Sequence, residues 1–388
     1  MAQNSRLKPI FPEWPQYGDE ERTGLVRALE QGQWWRMGGG EVAAFEREFG
    51  EYHGTPHALA VTNGTHALEL ALQVLGVKPG TEVIVPAFTF ISSSQAAQRL
   101  GAVAVPVDID PGTFNIDPAA VAEAVTPRTA AIMPVHMAGQ MCDMDALGKL
   151  SADSGVPLIQ DAAHAHGAEW AGRKVGEFGT IAAFSFQNGK LMTAGEGGFV
   201  TFADAGQREQ AFVRHSCGRP STDRHYFHET SGSNFRMNEF SASVLRAQLG
   251  RLAGQIDARE RTWPVLSALL AGIDGVQPQL VDARATRNPH YMAMFRVPGL
   301  SAERRNRLVD ALIERGLPAF AAFRAIYRCE GFWETGAPAE SVEAIAARCP
   351  NTEAVYADGI WLHHRTLLGT EEQMHEIAGI LAETLAAL

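Results

Sequence analysis

Residues 82–107 read EVIVPAFTFISSSQAAQRLGAVAVPV and show the pattern that organises the first half of the chain. Two short β-branched runs, Glu82–Val85 and Val103–Val107, indicate strands, and Ser93–Leu100 between them has a helical pattern. A strand, a crossover helix and a second strand are typical of a mostly parallel sheet that is covered by helices. The stretch therefore predicts an α/β fold.

The same alternation continues on the C-terminal side of this stretch. The further strand candidates are Ala130–Val135, Pro157–Gln160, Ile181–Phe186 and Gly198–Phe202, and the further helix candidates are Pro118–Val125 and Asp143–Ser154. In open sheets of this kind, ligands bind in a crevice at the carboxyl ends of the strands. The residues that follow each strand are therefore the candidates for a functional site.

The pattern changes near residue 250. Apolar residues at helical spacing predict a long helix over Phe240–Trp263, and Pro264 is expected to end or kink it. Beyond Gly275 the chain has the pattern of a smaller α+β unit. Its elements are a strand at Tyr291–Val297 and helices at Ala302–Arg315 and Glu371–Leu388. We place the boundary within residues 251–275 and assign 1–255 to a large domain and 256–388 to a small one.

Composition limits the classes of partner. The chain has 388 residues with 46% hydrophobic and 20% charged residues, which is ordinary for a globular protein, and its formal net charge is −11. An acidic total disfavours binding to nucleic acid or to an anionic membrane surface. No stretch is apolar enough to span a bilayer, and the first ten residues lack an apolar signal core. We therefore expect a cytoplasmic protein, and the spacing of its four cysteines does not fit a zinc site.

Lys190 is the first candidate for chemistry. It is one of five lysines in a chain with 28 arginines, and it alone is enclosed by small and apolar residues, in the run Phe184-Ser-Phe-Gln-Asn-Gly-Lys190-Leu-Met-Thr-Ala. A lysine amine can lose its proton and form a Schiff base, whereas the arginine guanidinium effectively cannot. This contrast predicts covalent amine chemistry at Lys190.

Other segments complement this lysine. Gly64 and Thr65 open an amphipathic helix, whose free backbone N–H groups make a phosphate site, although an N-cap is an equally good interpretation. Asp161 follows an apolar strand, where a carboxylate needs a partner such as a pyridinium nitrogen. Phe90 follows another strand and could stack on a flat ring, and Ser185 could add a hydroxyl to the phosphate. Together they predict a site for pyridoxal 5′-phosphate. A metal site built from Asp161, His164 and His166 is the alternative.

Four segments carry a resemblance to a known family over essentially the whole chain. They are Asn63-Gly64-Thr65, Asp161-Ala-Ala-His164-Ala, Ser185…Lys190…Gly195-Glu-Gly-Gly198 and Gly232-Ser-Asn234-Phe-Arg-Met-Asn-Glu239. In these the chain resembles the DegT/StrS-type pyridoxal-phosphate enzymes. The resemblance implies the aspartate-aminotransferase-like fold (fold type I), with a mostly parallel seven-stranded sheet in the large domain and a smaller C-terminal α+β domain. It also implies a homodimer.

The resemblance assigns roles to individual residues. Lys190 would form the Schiff base, Asp161 would pair with the pyridine nitrogen, and His164 would lie at the phenolic oxygen. Phe90 would stack on the ring, while Gly64, Thr65 and Ser185 would hold the phosphate. Asn234 would reach the phosphate of the neighbouring subunit, so that the active sites are shared. The candidates for binding the substrate carboxylate are Arg219, Tyr226, Trp35 and His363.

Further segments indicate a subgroup of this family. They include Gln31-Gly-Gln-Trp-Trp35, Arg214-His-Ser-Cys-Gly-Arg219, and Ala138 at a position where the sugar aminotransferases usually carry an aromatic residue. The closer resemblance is to members that dehydrate and aromatise an amino-shikimate-type substrate in antibiotic biosynthesis. The alternatives are a nucleotide-sugar aminotransferase and a pyridoxal-phosphate protein without catalytic activity.

Overall fold

The structure, a computed structural model, describes residues 11–388; the first ten residues, on which the absence of a signal core was judged, lie outside this range. The strands are β1 Ala58–Val61, β2 Glu82–Pro86, β3 Val103–Val107, β4 Thr129–Ile132, β5 Ile159–Asp161, β6 Glu169–Trp170, β7 Arg173–Lys174, β8 Ile181–Ser185, β9 Gly198–Thr201, β10 Gln277–Pro278, β11 Met292–Arg296, β12 Ala319–Ala321 and β13 Gly359–His363. The helices are α1 Asp19–Glu30, α2 Glu41–Tyr52, α3 Gly64–Val74, α4 Ser92–Arg99, α5 Pro118–Ala124, α6 Met144–Ser154, α7 Ala205–His215, α8 Glu239–Ala271, α9 Ala302–Glu314, α10 Val342–Arg348, α11 Pro350–Asp358 and α12 Glu371–Ala386.

A mixed sheet forms the centre of the large domain. One ladder has the order β3-β2-β4 and another the order β1-β9-β8-β5. Parallel bridges from Ile132 to Leu158 and from Val135 to Asp161 join the two ladders into one sheet of seven strands. Within this sheet β9 runs against its neighbours β1 and β8, whereas the other pairs are parallel. The α/β fold with a mostly parallel sheet is therefore confirmed.

Two local expectations need correction. Sequence patterning missed β1 because the strand is short and reads Ala-Leu-Ala-Val, with Val61 as its single β-branched residue. Of the two expectations for Pro264, an end or a kink of the long helix, the end is wrong, since α8 continues to Ala271. A proline removes one backbone N–H from a helix. The two turns after it remain helical because Leu266 and Leu270 are completely buried in the core of the small domain.

The small antiparallel sheet has the order β10-β11-β13-β12. We propose that the small domain begins within α8, near residue 256. Ile256 packs in the core under the large sheet, whereas Trp263 packs in the core of the small domain, which supports this boundary. The small domain does not pack only against itself, however, because Ile326 and Phe332 pack in a core of the large domain.

Among residues 11–388, none of the helices is long and apolar enough to cross a membrane. The chain segments that follow β1, β2, β5 and β8 converge at one edge of the large sheet, and Tyr291, just before β11, faces them from the small domain. The fold therefore places the strand ends that carried the predicted site residues around one crevice.

Candidate active site

A cavity of about 360 Å³ lies at the carboxyl ends of the large-domain strands. Seven of the residues predicted to bind the cofactor line it: Gly64, Thr65, Phe90, Asp161, His164, Ser185 and Lys190. These residues are separated by up to 126 places in the sequence. They lie close together because each ends a strand of the same sheet or lies in the segment after one. The expectation that the strand ends form a single crevice is thus met in the geometry.

Lys190 lies in the loop after β8, with its backbone N–H bonded to the Gln187 carbonyl at 2.8 Å. Its Nζ lies 4.7 Å from the centre of the Tyr291 ring. Desolvation by the surrounding protein lowers the pKa of Lys190 to about 8, and the attraction of the Asp161 carboxylate acts in the opposite direction. At pH 7 about a tenth of the amine is therefore uncharged, far more than for an ordinary lysine, and this fraction can act as a nucleophile or a base.

Asp161 ends β5 and is almost completely buried. Burial raises the pKa of this carboxyl group, while hydrogen bonds and the Lys190 charge lower it. The Ser93 hydroxyl donates to Oδ2 at 2.8 Å, and the backbone N–H of Ala163 donates to Oδ1 at 3.2 Å. These neutral donors orient the carboxylate without neutralising it, so it can still pair with a cationic ring nitrogen.

The start of α3 lies against the end of β8. Asn63 caps the helix by accepting from the backbone N–H of His66 at 2.8 Å, so the N-cap interpretation applies to Asn63. A Cβ atom on Gly64 would lie 2.7 Å from the Ser185 Cβ, which only glycine avoids. The Thr65 hydroxyl bonds to Ser92 at 3.0 Å. A helix N-terminus beside several hydroxyl groups fits a phosphate.

His164 and Phe90 form the sides of the cavity. The His164 ring stacks on Tyr291 with 4.2 Å between centroids, and its buried Nδ1 finds no hydrogen-bond partner among the described residues. Phe90 is 58% exposed at the mouth, 6.3 Å from the ring of Phe323. An exposed phenylalanine beside an unpartnered imidazole nitrogen fits a flat ring that carries a polar substituent.

The metal alternative finds no support in this arrangement. His166 turns away from the cavity and contacts the Ser185 carbonyl through Nε2 at 2.9 Å, so it does not face Asp161. Within the part of the chain that the structure describes, no group of three or more His, Cys, Asp or Glu side chains is placed to hold a metal ion.

Five predicted residues lie outside this cavity in the single chain. Asn234 is exposed, and Trp35 and Tyr226 expose 54% and 75% of their surface. Arg219 pairs with Asp223 at 2.8 Å and lies over the Tyr226 ring, 4.4 Å from its centroid. His363 accepts from the backbone N–H of Arg365. None of these five side chains lines the cavity.

Several cavity residues were missed by sequence reasoning. Ser93 binds Asp161 and also contacts the Thr89 hydroxyl at 3.0 Å, but a serine at the start of a helix gives no signal beyond helix capping. Tyr291 and Trp361 come from the small domain. They could not be associated with the strand ends of the large domain until the packing of the two units was known.

The family model of the DegT/DnrJ/EryC1/StrS aminotransferases matches residues 16–381. The chain is 71% identical over 385 residues to 3-amino-5-hydroxybenzoate synthase of Amycolatopsis mediterranei (strain S699), covering 99% of both chains. It is 34% identical over 411 residues to L-glutamine:2-deoxy-scyllo-inosose aminotransferase of Streptoalloteichus tenebrarius, covering 98% of this chain and 95% of the other. The crystal structure of a 3-amino-5-hydroxybenzoic acid synthase superposes with a TM-score of 0.97 at 70% identity, covering 98% of this chain and all of that one.

These similarities extend over both domains, and the cavity residues fit the cofactor of such enzymes. Lys190 supplies an amine of lowered pKa, Asp161 an oriented carboxylate, and the start of α3 a phosphate site. The chain therefore belongs to the DegT/DnrJ/EryC1/StrS aminotransferase family and uses pyridoxal 5′-phosphate.

Proposed function

We propose that the protein is a lyase that converts 5-amino-5-deoxy-3-dehydroshikimate into 3-amino-5-hydroxybenzoate in ansamycin-type antibiotic biosynthesis. The observation that carries this proposal is the 71% identity, over 99% of the chain, to a 3-amino-5-hydroxybenzoate synthase. The reaction is redox-neutral: the substrate loses one molecule of water, and proton shifts complete the aromatic ring. It needs no amino donor, because the substrate already carries the amino group that the product keeps.

Pyridoxal 5′-phosphate, when bound, supplies an electron sink for the pair left behind when a substrate carbon loses its proton. Lys190 Nζ would hold the cofactor between turnovers and would be the base that takes the proton from the amine-bearing carbon of the substrate. Its lowered pKa keeps part of the amine uncharged at neutral pH. The substrate would lose this proton before it loses water.

The other cavity residues would hold and orient the cofactor. The Asp161 carboxylate, oriented by Ser93 and Ala163, would pair with the pyridine nitrogen and keep it protonated. His164 Nδ1, which has no partner among the described residues, would meet the phenolic oxygen. Gly64, Thr65 and Ser185 would hold the phosphate, and Phe90 would stack on the ring. These roles follow the pattern of the family and the positions of the side chains.

The substrate carboxylate needs a cationic side chain other than Lys190. Among the described residues that line the cavity, Lys190 is the single lysine or arginine. We propose that two copies of the chain form a homodimer in which Asn234 reaches the phosphate in the partner, and Arg219 and Tyr226 bind the carboxylate there. Their exposure outside the cavity of their own subunit supports this. Trp35 and His363 remain weaker candidates for the same contact.

A nucleotide-sugar (keto-sugar) aminotransferase is the alternative. The 34% identity to L-glutamine:2-deoxy-scyllo-inosose aminotransferase supports an aminotransferase activity. The same lysine and aspartate would serve both reactions. The aminotransferase reaction consumes an amino donor such as glutamine or glutamate, and the proposed lyase reaction does not. A second, aminotransferase activity with a partner protein is compatible with this site.

The test is incubation of the purified holoenzyme with 5-amino-5-deoxy-3-dehydroshikimate in the absence of any amino donor. We expect 3-amino-5-hydroxybenzoate, identified by mass and by its aromatic absorbance, and no product from a Lys190→Ala variant. Glutamine- or glutamate-dependent amination of a keto-sugar, with no aromatic product from the amino-shikimate, would establish the alternative instead.

We also propose a cytoplasmic location. The four cysteines, Cys142, Cys217, Cys329 and Cys349, are free thiols in the structure. Free thiols persist in a reducing compartment. Fractionation of the producing cells, with detection by a specific antibody, checks this location.

A further inference from the structure

The loop that presents Lys190 is held by bonds to its backbone carbonyl groups. The Gln187 carbonyl accepts from the backbone N–H of Lys190 at 2.8 Å. The Asn188 carbonyl accepts from the Trp14 indole N–H at 3.0 Å, and the Gly189 carbonyl lies 3.1 Å from His364 Nε2. The carbonyl adjacent to the lysine is thus bonded to a side chain from the small domain.

Behind His364 lies an arginine without a counter-ion. Arg259, on α8, is completely buried, and no carboxylate among the described residues lies within ion-pair distance of it. Its Nε and one terminal nitrogen have no partner among those residues, and the other terminal nitrogen lies 3.0 Å from His364 Nδ1. Burial lowers the pKa of Arg259 to about 9, so it remains a cation at neutral pH. Its guanidinium carbon lies 5.9 Å from the centre of the Trp14 ring, but no carboxylate neutralises the charge, and a buried charge without a counter-ion is costly.

The arginine decides which nitrogen of His364 carries the proton. A guanidinium has only donors, so His364 Nδ1 must be the acceptor. The proton of the neutral ring then lies on Nε2, which donates to the Gly189 carbonyl. Burial and the charge of Arg259 lower the pKa of His364, which keeps the ring neutral and preserves this arrangement.

We propose that Arg259 and His364 are positioning residues for Lys190, acting as a relay in which the arginine fixes the tautomer of the histidine and the histidine fixes the lysine loop. The surrounding contacts keep both members in place. The Trp14 ring packs edge-on against His364 at 4.5 Å, and the Thr262 hydroxyl, on the next turn of α8, donates to the Leu367 carbonyl at 2.6 Å. The relay thus connects α8 and the small domain to the active-site loop.

The relay has a measurable consequence for the amine. Lys190 Nζ faces Asp161, His164 and Tyr291, and its enclosure depends on the conformation of residues 187–190. Without the bond to the Gly189 carbonyl, the loop gains freedom and water reaches the amine. The amine then regains solvation and returns toward its ordinary basicity, and the cofactor binds less tightly. This inference rests on the assignment of Lys190 to the cofactor but not on the identity of the substrate.

The experiment compares the holoenzyme with Arg259→Met, which keeps the alkyl length without a donor, and with His364→Phe, which keeps the ring without its nitrogens. The cofactor is removed from each protein, and the pH dependence of the rate of pyridoxal phosphate binding and the affinity for pyridoxal phosphate are measured. We expect the midpoint of the rate profile to move up by about one pH unit and the affinity to fall roughly tenfold in either variant. The double variant should be no worse than the singles, because each breaks the same relay.

Three further variants separate positioning from stability. Arg305→Met removes another buried arginine, in α9, which donates to the Gly359 carbonyl. It should lower the melting temperature but leave the midpoint and the affinity unchanged. His364→Gln can still accept from Arg259 and donate to Gly189 and should retain both properties, whereas the shorter His364→Asn should lose them.

An unchanged midpoint and affinity in Arg259→Met and His364→Phe, despite lower melting temperatures, would overturn the relay. If those two variants do not fold, equal behaviour of the Gln and Asn variants would overturn it as well. Absence of the cofactor absorbance from wild-type protein would instead contradict the assignment of Lys190.

Discussion

The reactivity of Lys190 depends on two effects that oppose each other. Desolvation lowers the pKa of the amine to about 8, while the nearby Asp161 carboxylate favours the charged form. Asp161 is itself buried, and its pKa is raised by burial and lowered by the Ser93 hydroxyl, the Ala163 N–H and the lysine. Since desolvation dominates at the lysine, the amine is available as a nucleophile well below the ordinary pH range of lysine titration.

The lowered pKa of Lys190 predicts how the rate of pyridoxal phosphate binding depends on pH. Pyridoxal phosphate reacts with the uncharged amine, and a lowered pKa means that the uncharged fraction grows as the pH rises toward 8. The association rate of the cofactor with cofactor-free protein should therefore rise about tenfold per pH unit below pH 7 and level off above pH 8. Stopped-flow absorbance measures this rate.

A matched lysine variant provides the control. Lys149→Ala changes an exposed lysine on α6 and should leave the pH profile unaltered, whereas Lys190→Ala should abolish the absorbance change. A profile that keeps rising to pH 10 would show that the amine is not desolvated and would contradict the balance described above.

At the residue level, the sequence revealed the groups whose chemistry is unusual in their surroundings. Lys190 was evident because lysine is rare in this chain, and Asp161 because a carboxylate follows an apolar strand. Ser93 and Tyr291 were not predictable. Serine is ordinary near a helix start, and Tyr291 reaches the cavity only through the packing of one domain on the other.

At the level of elements, the phosphate site depends on how closely α3 approaches β8. Gly64 is the first residue of the helix, and a Cβ there would lie 2.7 Å from the Cβ of Ser185. The same edge has a second close approach, since a Cβ on Gly198 would lie 2.2 Å from the Asn63 carbonyl oxygen. The missing side chains let the backbone N–H groups and the serine hydroxyl face the same point.

The Gly64→Ala substitution should move the start of α3 away from the end of β8. We expect the affinity for pyridoxal phosphate to fall by roughly tenfold or more, because the helix start must move away from Ser185 and the phosphate bonds lengthen. Gly148→Ala is the matched control, since that glycine lies inside α6 with open space around its Cβ position. The control should keep its affinity and gain up to about 1 kcal/mol in stability. Equal affinities in the two variants, measured by cofactor titration, would argue against a phosphate site at α3.

Strands rich in β-branched residues were predictable, and features that depend on tertiary packing were not. The strand β3 lies where the sequence indicated it, at Val103–Val107, whereas β1 was missed because only one of its four residues is β-branched. The continuation of α8 beyond Pro264 also depends on tertiary packing, since the core of the small domain buries Leu266 and Leu270. A local rule about proline cannot include that contribution.

At the scale of the whole molecule, large apolar side chains are exposed in two parts of the chain. Those near the N-terminal helix and the 219–234 segment are Leu25, Val26, Leu29, Trp34, Trp35, Met37, Tyr226 and Phe227, each between 38% and 75% exposed. The proposed homodimer would cover apolar surface of this kind. In a symmetric dimer the same surface serves both subunits, which would bring Asn234 of one chain to the cavity of the other.

Shared active sites predict that two inactive variants can restore each other. In a heterodimer of Lys190→Ala and Asn234→Ala subunits, one site loses both residues, while the other combines Lys190 of one chain with Asn234 of its partner. Random mixing makes half of the dimers mixed, each with one of two sites intact, so about a quarter of the wild-type activity should return. The activity is measured after subunits with different tags are mixed and reassorted.

The control for this experiment pairs Lys190→Ala with Asp161→Asn. Both residues line the cavity of their own chain, since Lys190 and Asp161 interact within one subunit. A heterodimer of these two variants therefore contains no intact site, whichever way the subunits assemble, and should recover no activity. Recovery in the first pair but not in the second would show that Asn234 acts across the interface. Failure of both pairs, with mixed dimers verified by their two tags, would mean that each cavity is completed by its own chain, and the exposed segment around Asn234 would then need another role.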